Sequence, residues 1–242
     1  MKHENQEIAR SFYETLDERE EKLVADRMDA LRKAALPLLT PLLRGRALCL
    51  GRHQALRLSP PAADLFVIAD FSATSLSRAP RRPNLLRVCA RAAALPFDIG
   101  SFDTVVMPGI LHHLAEDTVA ETNAMLQAAL NESARVLKRE GRLVVFEPSV
   151  SPFMESVIRS LFLPARLAIN RYGLPMMCPV SVQSIAQMCS EAGIVVKNTR
   201  RVEVESPVSV SWFLPDWRLP YPLMPWKFHL IEGVKRAARP GG

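Results

Sequence analysis

The sequence has few cysteines, and they are not spaced to hold a metal ion or a disulfide framework. There are four in 242 residues, and no Cys-x-x-Cys pair occurs. Zinc sites and small disulfide-rich scaffolds depend on clustered cysteines, so neither is predicted. Cys49 and Cys89 each lie inside a short apolar run typical of a strand, which predicts buried, reduced thiols at both positions.

Long apolar runs are also absent from the sequence. No uninterrupted stretch reaches the roughly 18 apolar residues that a membrane-spanning helix requires. The amino terminus is too rich in charged residues to be a secretory signal, and no internal repeat or low-complexity tract is visible. Together with the unpaired cysteines, these features predict a cytoplasmic protein.

The residues that are present have a globular balance with an excess of positive charge. Apolar residues make up 48% of the chain, charged residues make up 23%, and the formal net charge is +6. This composition excludes an intrinsically disordered chain. The basic residues are scattered and accompany no recognisable binding module, so nucleic acid is not an expected partner. Either a solubilising surface or attraction to anionic lipid or an acidic substrate explains the excess.

Short apolar runs alternate with helical patterns through the middle of the chain. Because these runs are continuous, they indicate strands that are buried on both faces, as in a parallel sheet. Repeated strand–helix units predict an α/β fold with a doubly wound sheet, in which ligands bind beyond the carboxyl ends of the strands. The predicted strands are 47–50, 65–69, 85–89, 104–107, 143–146, 194–196, 202–204 and 228–231.

Apolar residues at helical spacing predict longer helices over 4–36, 118–139, 153–172 and 181–192. Pro37 is expected to end the first helix, which either covers a substrate pocket or simply packs against the core. Asp117 is expected to cap the second helix and Gly141 to stop it. Pro164 is expected to kink or break the third. The proline- and aromatic-rich segment 212–226 is predicted to be a loop.

Three segments of the sequence follow one another in a pattern that resembles a known family. They are 94–106 (ALPFDIGSFDTVV), 109–114 (GILHHL) and 134–144 (ARVLKREGRLV). In order and spacing they are similar to the "LPF…SFD…LHHL…RVLKxGG" pattern of the ubiquinone-methylase-like, type 11 group of class I S-adenosylmethionine (SAM) methyltransferases. The resemblance extends over about residues 46–148.

The resemblance implies a mostly parallel seven-stranded sheet and SAM as the cofactor. It also implies a helical cap over 1–43, a SAM-binding α/β core over 44–150, and a segment 151–242 that supplies a lid and the last strands of the same sheet. Asp70 matches the family acid that accepts hydrogen bonds from the ribose hydroxyls; taken alone, a strand-end Asp is more often a turn or cap residue. The cofactor-binding residues predicted from the resemblance are Gly51, Arg52, His53, Asp70, Phe71, Arg91, Ala92 and Pro108.

The first loop departs from the family pattern of an acid followed by three alternate glycines. Only Gly51 remains, while Cys49 replaces the acid and His53 and Ala55 replace the later glycines. A Cβ atom at such positions strains the backbone and narrows the pocket. Arg91 stands where the family has an Asp that accepts from the adenine amino group, and a guanidinium can only donate.

These departures leave three interpretations open. In the first, the loop holds SAM in another way, with Arg52 or His53 binding the SAM carboxylate. In the second, the fold uses SAM in a reaction other than methyl transfer, such as another group transfer or a cyclisation. In the third, the chain is a catalytically inactive partner subunit. The leading prediction is a SAM-dependent, methyltransferase-like enzyme that acts on a small hydrophobic or aromatic molecule in a biosynthetic reaction.

A pair of histidines is the predicted catalytic feature. His112 and His113 lie where the family's loop faces the acceptor, and His113 is predicted to bind or deprotonate it. The alternative is that one histidine caps the next helix while the other packs. Adjacent side chains point in different directions and no third ligand follows at a suitable spacing, so no metal site is predicted.

Aromatic and apolar residues late in the chain suggest where a hydrophobic molecule would bind. Four of them either wall an aromatic or lipid-like acceptor pocket or pack within a lid: Tyr172, Trp212, Trp217 and Tyr221. Segment 153–172 combines an apolar face with arginines, which fits a peripheral membrane contact. Core helices with snorkelling arginines have the same pattern, so packing remains the other explanation.

Overall fold

The computed structural model describes residues 4–15, 29–51, 58, 62–79, 81–204, 208–211 and 214–237. The strands are β1 (Gly45–Leu50), β2 (Ala63–Asp70), β3 (Leu85–Cys89), β4 (Phe102–Pro108), β5 (Leu137–Val150), β6 (Ile194–Arg201), β7 (Val208–Ser211), β8 (Leu214–Leu219) and β9 (Trp226–Lys235). The helices are α1 (Glu4–Thr15), α2 (Asp29–Leu39), α3 (Ala73–Ser77), α4 (Val119–Val136), α5 (Pro152–Ser160), α6 (Phe162–Asn170) and α7 (Val182–Glu191).

The main sheet has seven strands in the order β3-β2-β1-β4-β5-β9-β6, and β7 pairs with β8 in a separate two-stranded sheet. The pairings from β3 through to β5 are parallel, whereas β9 runs antiparallel to both β5 and β6. The predicted α/β fold with a doubly wound, mostly parallel seven-stranded sheet is therefore confirmed.

Both faces of the sheet are covered, which explains why its strands are continuously apolar. Along β1, Ala47 and Cys49 pack on the face that α2 covers, and Leu48 and Leu50 pack on the face that α4 and α7 cover. All four side chains are at most 3% exposed. A strand buried on one face only would instead alternate apolar and polar residues.

One predicted strand and part of one predicted loop are wrong. Residues 202–204 follow β6 without forming a strand, although Val202 and Val204 are buried in the core. Part of the predicted loop 212–226 is the strand β8, which contains Pro215. In a sheet of two strands both strands are edges, where a residue without an N–H group is tolerated.

The helix predictions need corrections at their ends. The model describes α1 and α2 within the predicted helix 4–36, and residues 16–28 between them lie outside the described part. Pro37 does not end α2, which continues to Leu39; burial of Ala35 and Leu39 at 0% exposure outweighs one lost main-chain hydrogen bond. The third helix does break, at Leu161, so that Pro164 falls in the first turn of α6, where N–H groups have no acceptor within the helix.

The signals around α4 were assigned to the wrong residues. The side chain of Thr118, not Asp117, caps the helix by accepting from the Glu121 N–H group. The helix ends at Val136, before Gly141, because the chain passes directly into β5. The Asp117 carboxylate instead accepts from the main-chain N–H groups of Glu4 and Asn5 at 3.0 and 2.9 Å. It therefore caps α1, a helix more than a hundred residues away in the chain.

Two predicted side-chain environments also differ. Cys89 is exposed rather than buried, because β3 is an edge strand of the sheet. Tyr221 does not wall a pocket: it is 1% exposed in the core, and its hydroxyl accepts from the Phe228 N–H group at 2.7 Å. Tyr172 is 79% exposed. Trp212 and the side chain of Trp217 lie outside the described residues.

Candidate active site

A crevice is expected in the middle of the sheet, where the direction of chain winding reverses. β1 and β4 are neighbours there, and the chain continues from β1 towards β2 on one side and from β4 towards β5 on the other. In open α/β sheets, ligands bind beyond the carboxyl ends of strands at such a switch point. Gly51 follows β1, Asp70 ends β2 and Pro108 ends β4.

Gly51 makes a turn that few other residues would adopt. Its φ angle is +80°, and its N–H group donates to the Ala69 carbonyl at 2.7 Å. A Cβ atom added there would lie 3.4 Å from Cδ1 of Ile110, in the loop after β4. The retained glycine therefore lets the β1 backbone approach that loop closely.

Asp70 is partly exposed at the end of β2 and has a local structural role. Its Oδ1 accepts from the Ser72 N–H group at 2.8 Å, and its main-chain carbonyl accepts from the Ala90 N–H group at 3.0 Å. The turn role expected of a strand-end Asp is thus present. A carboxylate has about four lone-pair positions, so this role is compatible with additional donors.

Tyr13, on α1, covers the crevice and was not singled out by the sequence analysis. Its ring packs edge-on against Phe71 and His113, with centroids 6.1 and 5.6 Å apart, and its hydroxyl lies 2.9 Å from Nδ1 of His113. Burial, together with the charge of Asp70, raises the pKa of the Tyr13 phenol well above its ordinary value. The hydroxyl therefore keeps its proton and can donate it to a ring nitrogen.

Glu147, on β5, is the second residue that the sequence analysis missed. Its side chain is fully buried and accepts from the N–H groups of Leu111 at 3.2 Å and His112 at 2.8 Å, while the same carboxylate also bonds Nδ1 of His112. A carboxylate that accepts from these donors fixes the proton of the neutral imidazole on Nδ1 and leaves the lone pair on Nε2. The signal in the sequence is an acid directly after the apolar run 143–146.

The two predicted catalytic histidines face different partners. They share one short helical turn, Leu111–His113, and their ring centroids are 3.9 Å apart with planes tilted by 40°. His112 bonds Glu147, whereas His113 bonds Tyr13 of α1. Neither side chain caps α4, because that position is held by Thr118.

Cys49 stands where the family pattern has an acid, and it is uncharged. Burial, with a further contribution from the charge of Asp70, raises the pKa of its thiol strongly. Its Sγ lies 3.4 Å from the Gly51 carbonyl, at a distance suited to a weak S–H donor. The crevice therefore lacks one negative charge that the family pattern would place beside Asp70.

The remaining predicted cofactor residues are distributed unevenly. Pro108 is buried at the end of β4. Arg91 and Ala92 lie in a tight turn after β3, closed by a 3.0 Å hydrogen bond from the Ala94 N–H group to the Arg91 carbonyl, and the Arg91 side chain is exposed. Arg52 and His53 lie outside the described residues.

The sheet order and the position of the crevice define a class I SAM methyltransferase fold. Comparison with known proteins agrees: residues 50–145 match the family described as a methyltransferase domain. The resemblance to the type 11 methyltransferase family that the sequence predicts is therefore confirmed over these residues. No curated protein sequence matches the chain.

Solved structures with low sequence identity share the fold. A chain from the complex between the Haloferax volcanii Trm112 methyltransferase activator and a candidate methyltransferase is 18% identical, with 91% of this chain and 95% of that chain covered and a TM-score of 0.64. The [4+2]-cyclase SpnF is 17% identical, with 87% and 81% covered and a TM-score of 0.59. A SAM-dependent methyltransferase from Methanosarcina mazei is 13% identical, with 84% and 98% covered and a TM-score of 0.57.

The residues around the crevice fit most of what SAM requires. The left-handed Gly51 permits close main-chain approach, and Asp70 is a partly exposed carboxylate of the kind to which ribose hydroxyls could donate. Arg91 does not supply an acceptor for the adenine amino group, because a guanidinium only donates. The side chains are therefore compatible with the ribose of SAM and differ from the family pattern at the base.

Proposed function

We propose that the protein is a SAM-dependent methyltransferase that acts on a small hydrophobic or aromatic molecule. The observation that supports this most is the arrangement of two histidines, each with its own hydrogen-bonding partner, across the sheet switch point from Asp70 and beneath Tyr13. In this proposal Asp70 binds the ribose and Gly51 allows the main chain to approach the cofactor. SAM, when bound, supplies an electrophilic methyl group.

The hydrogen bonds support different roles for the two histidines. Glu147 holds His112 with its lone pair on Nε2, so His112 takes the proton from the acceptor and Glu147 stabilises the resulting imidazolium. Tyr13 donates to Nδ1 of His113, which favours the proton of the neutral ring on Nε2, and in this proposal His113 orients the acceptor. The proposal thus gives the base role to His112 and keeps His113 as the residue that binds the acceptor.

The apolar surroundings support a hydrophobic acceptor. Tyr13 lies against His113, Phe71 packs against Tyr13, and Ile110 lies in the loop beside Gly51. Such a site favours a molecule with an apolar or aromatic body and one polar atom to be methylated. Methyl transfer depends mainly on positioning, which rigid neighbours of this kind provide.

Calorimetry with SAM and with S-adenosylhomocysteine tests the proposal. The parent protein is expected to bind both, and Asp70→Asn should weaken both affinities by about ten- to a hundredfold, because hydrogen bonds to a charged group are lost. Asp64→Asn is the matched control: Asp64 is on the same strand, exposed near its amino end, and should leave both affinities unchanged.

Three results would contradict the proposal or part of it. If neither ligand binds at millimolar concentration, the inactive-partner interpretation is favoured instead. If SAM is consumed without formation of S-adenosylhomocysteine, the reaction is not methyl transfer. If Asp70→Asn binds as tightly as the parent, Asp70 does not hold the ribose.

A further inference from the structure

The helices α5 and α6 have an outer face that is apolar and exposed. Phe153 is 76% exposed, Leu161 is 57%, Leu163 is 53% and Leu167 is 55% exposed, and Tyr172, just after α6, is 79% exposed. The spacing of four between Leu163 and Leu167 places both on one side of α6. Proteins in water seldom expose so many large apolar side chains within so short a segment, so this face is expected to have a partner.

The opposite face of the same helices already contributes to the core. Phe162 is 1% exposed and packs with Ala115, Met176 and Cys178, against which Ile158 also packs. The helix pair therefore does not need its outer face to fold onto the domain. Because the inner face already packs against the core, the exposed side chains of the outer face are not needed for folding, which favours a binding role for them.

The charged side chains of the segment that follows Glu155 are all basic. No Asp or Glu occurs from residue 156 to residue 190, a segment that carries Arg159, Arg166 and Arg171. Arg159 is paired with Glu155, and Arg166 is paired with Asp117, whereas Arg171 is exposed beside Tyr172. The outer face thus presents apolar side chains with a positive charge at one end.

We propose that the outer face of α5 and α6 binds the surface of an anionic lipid bilayer, with the apolar side chains entering the boundary of the acyl chains. A second copy of the chain suits the face less well, because a symmetric contact would bring each Arg171 towards a segment, 156–190, that contains no acid. No helix in the described ranges is long and apolar enough to span a membrane, so the contact is peripheral. Phe153 and Tyr172 are aromatic anchors of the kind that interfaces favour.

Co-sedimentation of the full chain with lipid vesicles tests this inference. Vesicles of phosphatidylcholine alone are compared with vesicles that also contain phosphatidylglycerol, and binding is expected to be stronger to the anionic vesicles and to weaken with added salt. Leu163→Ser combined with Leu167→Ser should reduce binding by about tenfold or more. Arg171→Glu should reduce binding to anionic vesicles by about tenfold and leave binding to neutral vesicles unchanged.

Matched controls separate this face from general stickiness. Ile99→Ser removes an apolar side chain that is 76% exposed outside α5 and α6, and Arg139→Glu reverses an exposed charge elsewhere; both should bind like the parent. Phe153→Ser is a further single substitution in the outer face, beside Arg171→Glu. Thermal unfolding followed by circular dichroism checks that every variant is folded.

Several outcomes would overturn the inference. The first is that the parent protein does not bind vesicles. The second is that the control variants lose as much vesicle binding as the variants of the outer face. The third is that sedimentation velocity shows a dimer, that the double variant is monomeric, and that no vesicle binding occurs. Retention on immobilised polyglutamate without vesicle binding would indicate an acidic protein as the partner. Vesicle binding needs neither SAM nor an acceptor, so its failure is distinguishable from failure of the proposed enzymatic function.

Discussion

Replacing Glu147 with Gln tests the central contact of the proposed site. The carboxylate is fully buried and accepts from the N–H groups of Leu111 and His112 and from the His112 ring. A Gln side chain of the same shape has one accepting oxygen. If that oxygen keeps both His112 contacts, the amide NH₂ group faces the Leu111 N–H group, and two donors meet in a buried place.

The magnitude follows from that mismatch. A buried donor without an acceptor costs about 1–3 kcal/mol, so Glu147→Gln should lower the free energy of unfolding by about that amount in urea denaturation. For a chain of this size the midpoint of thermal unfolding should fall by about 3–10 °C. If His112 is the base, turnover should fall by about a hundredfold or more, while SAM affinity stays unchanged.

Nuclear magnetic resonance reports the tautomer of His112 without any substrate. Long-range ¹H–¹⁵N spectra of the parent should show the proton of the neutral ring on Nδ1, and Glu147→Gln should increase the Nε2–H form, since a neutral amide oxygen holds the Nδ1 proton less strongly. Glu155→Gln is the matched control. Glu155 is also buried and accepts from the Ser181 N–H group, so this change should lower stability but leave the His112 spectrum unaltered. An Nε2–H tautomer in the parent, or unchanged stability in Glu147→Gln, would refute the reasoning.

Three further substitutions probe the fold around the site. Gly51→Ala should lower the free energy of unfolding in urea by about 1–2 kcal/mol, because Gly51 has a φ of +80° and other residues pay about that cost there. Asp103→Asn should lower it by about 0.5–1 kcal/mol at neutral pH, since a carboxylate 39% exposed accepts from Lys138 at 2.7 Å and the Arg46 N–H group at 2.9 Å. Burial raises the pKa of Asp103, but these bonds bring it below the ordinary 3.8, so the difference between the two proteins should disappear as pH falls below that value. Burial lowers the pKa of His229 below 6.5, so that as the pH falls the unfolded chain takes up this proton before the folded protein does. Below about pH 6.5 the free energy of unfolding of the parent should therefore fall by up to about 1.4 kcal/mol per pH unit, as measured by urea denaturation. His229→Gln should not show this loss.

The central strands could be predicted because burial on both faces requires a continuous apolar run. Strands such as β1 and β4 are therefore visible in the sequence itself, and their order follows from the family resemblance. The ends of helices were less predictable, because competing signals stand close together. Asp117 and Thr118 are both good cap residues, and only the tertiary contact with the start of α1 determines which of them caps α4.

The candidate site was predictable where it depends on strand ends and not where it depends on distant contacts. Gly51 and Asp70 follow apolar runs and match family positions. Tyr13 lies a hundred positions from His113, and nothing in the local pattern of α1 distinguishes it from a packing residue. Glu147 carries a local signal, an acid after a buried strand, but its three donors come from a loop 35 or 36 positions earlier.

The helix that covers the site, α1, and the helix α6 of the exposed face both contact the same partly buried carboxylate. Asp117 accepts from the main-chain N–H groups of Glu4 and Asn5 in α1 and, at 3.2 Å, from the Arg166 guanidinium in α6. Asn5 is itself fully buried, so this junction excludes water, in which the ion pair would be weakened. One carboxylate in the segment just after the histidine pair thus bonds both the helix that carries Tyr13 and the helix that we propose contacts lipid. Because α6 and α1 both contact Asp117, the helix of the proposed lipid contact and the helix that covers the crevice are joined through one carboxylate.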